Sequence, residues 1–301
     1  MNINQLKYVL VIAESTSIRE AVNRLYVSQP ALSSSIRDLE EELGIVIFER
    51  SNKGIRLTDE GREFVNYAKR AVGQYMLLEE RFLSADRAKE RFSVSTQHYN
   101  FAAKAFAEVI KRFDPDKFEF LIHETRTLEV LENVRDLKSE VGIVSYSGSN
   151  KEFVLKLIKD YGLEFVPLMS RDTYIYLWKG HPLSDRDELT LEELKSYPCI
   201  SFDQGEEGKF YIAEEAMGDH VFDRSIKSDD RATTMELIKW LNGYSVGSGI
   251  LSEEGAVVGN LVSVKLKEED PLTIGYITLK NMKLTKYGTA YVEELEKYRE
   301  L

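Results

Sequence analysis

Val27-Ser28-Gln29-Pro30-Ala31-Leu32-Ser33-Ser34-Ser35-Ile36 reads as the opening of a helix with two chemically different sides. Ser28 is placed to cap it, and Pro30 is tolerated in the first turn because the amide it lacks has no partner there. Continuing to Leu43, Leu32, Ile36, Leu39 and Leu43 fall on one side, and Gln29, Pro30, Ser33, Ser34 and Arg37 on the other. The apolar side needs a partner. Upstream, Ser17-Ile18-Arg19-Glu20 has the form of a capping box opening a short helix with Ala21, Val22 and Leu25 inward. Before it, Leu6, Val9, Leu10 and Ala13 repeat at helical spacing from about Asn4 to Glu14. Two short helices joined by a tight turn, the second polar on its outer side, form the helix-turn-helix arrangement that lays the second helix in a DNA major groove. A plain solvated face is the alternative. Such a face usually carries Lys and Glu, whereas short neutral Gln and Ser side chains suit the edges of bases.

Beyond Leu43-Gly44, the segments Ile45–Arg50 and Ile55–Thr58 flank the turn Ser51-Asn52-Lys53-Gly54 and predict a small β-hairpin, or wing. Arg50, Lys53 and Arg56 cluster on it and are expected to meet phosphates, the alternative being a solubilising turn. From Thr58 to about Ala88 the pattern predicts one long helix. Phe64, Ala68, Ala71, Tyr75, Leu78 and Phe82 form a heptad seam. A narrow apolar stripe of this kind calls for a second chain, or else for packing on the protein's own body. Residues 84–91, charged and small, read as a joint.

From Phe92 onward strands and helices alternate. Strands are expected at Phe92–Thr96, Phe118–Glu124 and Val141–Tyr146, with helices at Phe101–Phe113 and Leu128–Lys138. A second unit is expected to begin near Phe165, with strands Tyr174–Trp178, Cys199–Phe202 and Val246–Leu251 and helix Thr233–Leu241. The strand Leu272–Leu279 and helix Lys286–Tyr298 close the chain. Alternation predicts an α/β layout on a largely parallel sheet.

The 301 residues allow about two domains. Of the formal charge of −11, none lies on residues 1–91, which carry 14 basic and 14 acidic side chains; the remaining 210 carry all of it. A neutral head on an acidic body suits a local contact surface rather than a generally basic nucleic-acid binder. No apolar run approaches the ~18 residues of a membrane span, and no secretory leader is recognisable at the N-terminus. The single cysteine, Cys199, permits no internal disulfide and suits a cytoplasmic setting. In its strand beside Ile200 it reads as a buried thiol rather than a redox sensor. The four histidines (98, 123, 181 and 220) show no metal-ligand spacing. No phosphate-binding glycine loop, HExxH or nucleophile elbow occurs, so neither a cofactor nor an enzymatic activity is expected.

The chain resembles LysR-type transcriptional regulators over essentially its full length. The resemblance rests on Val27–Ser33, on Leu39-Glu40-Glu41-Glu42-Leu43-Gly44, on Phe48-Glu49-Arg50 and on Leu57-Thr58-Asp59-Glu60-Gly61, with Gly180-His181-Pro182-Leu183 as the best phrase further on. It implies a winged helix-turn-helix (1–58), a dimerising linker helix (59–90) and a two-lobed effector domain shaped like a periplasmic binding protein (91–301). Lobe one then comprises 91–164 and 268–301, and lobe two 165–267. The recognition positions fall on Ser28, Gln29, Pro30, Ser33, Ser34 and Arg37. Many relatives carry Arg or Lys where this chain has Ser34, so base preference is expected to differ.

An effector is implied between the lobes, at strand ends and helix N-termini. The positions expected to line it are Ser95, Thr96, Gln97 and His98, Thr125, Arg126 and Thr127, Phe202 and Asp203, and Asp229 and Arg231. Hydroxyls and amides suit an amino acid or small carboxylate, with Arg126 or Arg231 as a bidentate clamp; helix capping and surface exposure are the competing readings. The expected function is a ligand-responsive regulator that binds operator DNA, works as a homodimer or homotetramer and has RNA polymerase as a further partner. The alternative is a cytoplasmic solute-binding module whose N-terminal domain makes protein contacts.

Overall fold

The computed structural model describes residues 1–51, 54–83, 89–205, 211–251 and 260–299. Contacts divide the chain into two compact units, Met1–Ala88 and Lys89–Leu301. In the first, α1 (Ile3–Ala13), α2 (Ile18–Leu25) and α3 (Gln29–Leu43) are followed by β1 (Phe48–Ser51), β2 (Gly54–Leu57) and α4 (Asp59–Leu83). Ser17 caps α2 by accepting from the Glu20 amide. The box closes one residue earlier than expected, because the Glu20 carboxylate accepts from Thr16 rather than from Ser17. Ser28 caps α3 by accepting from the Ala31 amide. Val9, Ile12, Ala21, Leu32, Ile36, Leu39, Ile47 and Val65 share one core. Leu32 and Leu39 are fully buried, each contributing about 1.5–3 kcal/mol.

The wing is tied to α3 and α4 by polar contacts. Glu40 Oε1 accepts from the amides of Ile47 at 2.7 Å and Phe48 at 3.1 Å. β1 and β2 pair antiparallel, Glu49 opposite Arg56. The Thr58 hydroxyl accepts from the Gly61 amide at 2.8 Å, and the Thr58 amide donates to the Ile47 carbonyl. This brings α4 so close to the wing that a Cβ on Gly61 would lie 2.1 Å from the Ile47 carbonyl oxygen. The heptad seam of α4 divides. In the first half of the helix Ala68 of the seam, and Val72 beside it, pack against Leu6 of α1. In its second half Met76, Leu77, Leu78, Phe82 and Leu83 stay exposed. Val65 and Val72, outside the seam, are buried because α1 meets α4 from the side.

The second unit runs through β3 (Glu90–Thr96), α5 (Asn100–Phe113), β4 (Phe118–Glu124), α6 (Thr127–Arg135), β5 (Val141–Tyr146), α7 (Lys151–Asp160) and β6 (Leu163–Arg171). It continues with β7 (Tyr174–Trp178), β8 (Glu188–Leu189), α8 (Leu191–Leu194), β9 (Cys199–Phe202), β10 (Ser225–Ser228), α9 (Arg231–Trp240), β11 (Ser245–Gly247), β12 (Leu261–Leu266), β13 (Leu272–Leu279) and α10 (Lys286–Glu296). Lobe one is a five-stranded sheet in the order β4-β3-β5-β13-β6. Its core includes a ring cluster of Phe92, Phe106, Phe120, Tyr287 and Tyr291. Lobe two combines the sheet β11-β7-β12-β8 with the pair β10-β9, around Ile175, Leu177, Leu189 and Leu266.

Two expectations are corrected. The sheets are mixed, not largely parallel: β13 runs antiparallel to both β5 and β6, and β7 antiparallel to β11 and β12. The chain also does not leave lobe one at 165. Residues 163–171 pair along the whole of β13, so the crossing into lobe two follows Arg171. An apolar run such as Phe165-Val166-Pro167-Leu168 fits either lobe, and only its pairing partner decides.

The close approach at Gly61 makes a test. Gly61→Ala is expected to destabilise the N-terminal unit by about 1–3 kcal/mol through overpacking. Gly73→Ala on the same helix, with open space around it, is expected to stabilise it by roughly 0.5–1 kcal/mol. Urea denaturation of the two variants beside the wild type measures both.

Candidate DNA interface and effector cleft

The exposed side of α3 is continuous. Ser28, Gln29, Pro30, Ser34 and Arg37 are exposed and Ser33 is half-buried. Tyr26, which caps α2 in the left-handed conformation at φ 53°, stands 95% exposed immediately ahead of this face. Nothing in the sequence marked it, because an aromatic between two helices usually packs inward. On the wing Arg56 is exposed. Lys53 and the Arg50 side chain lie outside the described residues.

In the second unit the ends of β3, β4 and β5 face the lobe-two segment that follows β9. Arg126 grips Asp203 twice, Nε donating to its carbonyl at 3.0 Å and Nη2 to Oδ2 at 2.6 Å. Arg231, in the first turn of α9, pairs with Glu124 at the end of β4. The Thr127 amide donates to Gln204 Oε1 at 3.0 Å, and Asn150 Nδ2 to the Ala213 carbonyl at 2.9 Å. His98 Nδ1 meets Glu214 Oε1 at 2.6 Å, and its ring stacks on Phe202 with centroids 3.5 Å apart.

The expected effector positions separate into groups. Ser95, Thr96, Gln97 and Thr127 are buried, and their polar atoms serve the protein. Ser95 bonds to Ser139, and the Thr96 hydroxyl donates to the Gln97 carbonyl. Gln97 Nε2 donates to the Thr127 hydroxyl at 2.6 Å and its Oε1 accepts from the Ser145 amide at 2.7 Å. The Thr125 hydroxyl donates to Glu129. Arg126 and Asp203 tie the lobes together, and Asp229 is exposed ahead of α9. His98, Phe202 and Arg231 line an interlobe cavity of about 80 Å³ together with Tyr99, Tyr176, Glu214 and Glu215. These last four were missed. Ala213-Glu214-Glu215-Ala216 reads as a solvated stretch, and only the segment's path across lobe one buries its carboxylates. His123 is exposed. His181 is structural: Nδ1 accepts from the Leu183 amide and Nε2 donates to the Asn242 carbonyl.

The buried titratable groups are displaced from their ordinary values. For His98, burial works against the charged form. The hydrogen bond and negative charge of Glu214 outweigh it and hold the imidazole above its usual value. For Glu215, burial and then the neighbouring Glu214 carboxylate push the carboxyl from 4.5 up to about 7, against the hydrogen bond from the Phe202 amide. Burial, and then the nearby Glu215, push the Cys199 thiol up to about 12.

A winged helix-turn-helix joined to a two-lobed α/β body with a cavity between its lobes defines a ligand-responsive DNA-binding regulator. Residues 3–62 match the family model described as bacterial regulatory helix-turn-helix protein, lysR family, and residues 93–299 match the LysR substrate binding domain. The chain belongs to the LysR family of bacterial transcriptional regulators. It is 26% identical over 258 residues to the hydrogen peroxide-inducible genes activator of Dickeya chrysanthemi, covering 83% of this chain and 78% of that protein. It is 29% identical over 222 residues to the regulator SsuR of Burkholderia cenocepacia, covering 70% and 67%. Full-length CbnR, a LysR-type regulator solved in complex with its target DNA, shares the fold at a TM-score of 0.63 and 19% identity, covering 99% of this chain and 100% of CbnR. No helix among the described residues is long and apolar enough to cross a membrane.

The raised values of Glu215 and His98 act on stability in the same direction. Both groups hold a proton more tightly folded than unfolded, so the stability they contribute is fully present at low pH and is lost as pH rises through their folded values. The effector body is expected to lose stability between pH 4.5 and about 7 through Glu215, with His98 adding to the fall above its ordinary value of 6.5. Urea midpoints across this range are expected to fall for the wild type and to vary less in Glu215→Gln, which stays uncharged.

Proposed function

We propose that this regulator reads its operator with Gln29, Ser33, Ser34 and Arg37 of α3, seated through Ser28 and Pro30, while Arg50, Lys53 and Arg56 of the wing hold phosphates. The observation that carries the reading is the division of α3: Leu32, Ile36 and Leu39 are buried, and the opposite side is open to a duplex. Tyr26, standing clear beside it, joins the same contact surface.

The chain works as a homodimer, and in pairs of dimers, in the cytoplasm. Support comes from the exposed second half of α4 and from β4, an edge strand whose Phe118, Leu121 and Ile122 are exposed. In a dimer two recognition helices address half-sites about 34 Å apart. The effector is a small polar metabolite held between the lobes. Its binding shifts the balance between lobe arrangements and through it the presentation of the DNA-binding units, to each other and to RNA polymerase. Arg126 and Arg231, the expected bidentate clamps, are engaged by Asp203 and Glu124.

Gln29→Ala and Ser33→Ala are each expected to reduce the preference for operator over random duplex by about 1–3 kcal/mol. Arg56→Ala is expected to weaken binding to all duplexes and lower the salt slope by about one. Gel shifts over a salt series separate the two effects. Equal operator preference in wild type and Gln29→Ala would remove the recognition assignment, and failure of the wild type to shift genomic fragments would favour the solute-binding alternative.

Some relatives are named for induction by hydrogen peroxide. In this chain the effector is bound rather than a thiol oxidised, since the thiolate is the reactive form and the Cys199 thiol is buried and held near 12. Peroxide is expected to leave operator binding unchanged in both wild type and Cys199→Ala. A peroxide response present in the wild type and lost in Cys199→Ala would overturn this.

A further inference from the structure

The cavity between the lobes carries an uneven set of charges. His98, Arg231, Glu214 and Glu215 line it, and Glu124 pairs with Arg231. Each basic group is already matched: His98 by Glu214, Arg231 by Glu124. Glu215 remains as a further acid, its Oε1 accepting from the backbone amide of Phe202 at 2.5 Å. An anionic ligand entering this space meets two carboxyl groups, and the basic side chains that line it are already engaged, Arg231 keeping only its Nε without a partner among the described residues.

Glu214 adds an independent observation. Its side chain is only 6% exposed, and Oε1 is taken by His98. Oε2, equally buried, has no hydrogen-bond partner among the described residues. A carboxylate oxygen shut away from water without a donor is costly, and a ligand that brings an N–H to it removes the penalty. The lining also includes the rings of Tyr99 and Tyr176, and aromatic faces favour a cation. Arg231 lines the same cavity, and its Nε is also buried without a partner among the described residues, a donor suited to an acceptor on a ligand.

We propose that this cavity takes a small molecule bearing an ammonium group, held against Glu214 Oε2, in preference to a simple carboxylate. The proposal rests on the reading of the cleft as the effector site. Two ligand types share this chemistry: amino acids, whose carboxylate would accept from Arg231 Nε, and amines, which lack that group.

The test is calorimetric titration of the full-length protein with three matched panels: common amino acids, the amines left by their decarboxylation, and the des-amino carboxylates of the same carbon skeletons. Expected is saturable binding of at least one ammonium-bearing compound, at least tenfold tighter than its des-amino counterpart and weakened tenfold or more in Glu214→Gln. An amino acid that loses affinity in Arg231→Gln, beside an amine that does not, identifies the zwitterion as the ligand type; equal binding of both in wild type identifies the amine. The wild-type comparison stands alone should Glu214→Gln fail to fold. Binding confined to the des-amino carboxylates and lost in Arg231→Gln overturns the ammonium assignment and leaves the effector cleft in place. An ammonium-bearing ligand that binds Glu214→Gln as tightly as wild type overturns the assignment and moves the ligand out of the cleft. Absence of binding across all three panels overturns the proposal.

Discussion

The burial of Leu32, Ile36 and Leu39 against α1 and α2 is the constraint on which the N-terminal unit depends. A helix of 15 residues cannot turn without moving all its side chains together. Fixing three apolar residues inward therefore fixes Gln29, Ser34 and Arg37 outward. The other elements are then set from this helix. Glu40, on its last turns, holds the amides of Ile47 and Phe48 and so aims the wing. Gly44, at φ 69°, ends the helix in a conformation that a side chain would strain. Thr58 and Gly61 then bring α4 against the Ile47 carbonyl. The phrases Leu39–Gly44 and Leu57–Gly61 thus have a joint physical explanation as the fastenings of one helix to one hairpin.

In the effector body the corresponding work is done by polar contacts between lobes. The segment after β9 is held to the strand ends of lobe one by Arg126 with Asp203, Thr127 with Gln204, Asn150 with Ala213 and His98 with Glu214. Helix N-termini and hydroxyls that would serve a ligand in an open cleft are satisfied by the protein itself. Charged pairs that bridge two lobes and are partly buried hold their geometry better than exposed pairs, but they also respond to protons and ligands. Burial that lifts Glu215 therefore couples lobe contact to protonation, and Glu214 Oε2 stays outside this internal network, without a partner among the described residues.

The sequence by itself determined the helix-turn-helix, the wing, the long helix and most strands of lobe one, because each is written in local periodicity and capping residues. It also marked the outward face of α3, since a leucine stripe names its own opposite side. Tertiary structure alone decided that β6 belongs to lobe one, because strand membership is set by the pairing partner and not by the run Phe165–Leu168. It alone split the α4 seam between α1 and open surface. In the cleft it spent Arg126 and the hydroxyls of Ser95 and Thr127 on internal bonds and brought Glu214 and Glu215 into the cavity. A carboxylate 116 residues from its histidine partner, as Glu214 is from His98, leaves no periodic trace. Its burial depends on the path of a loop across another lobe, and that path is fixed only when both cores have formed.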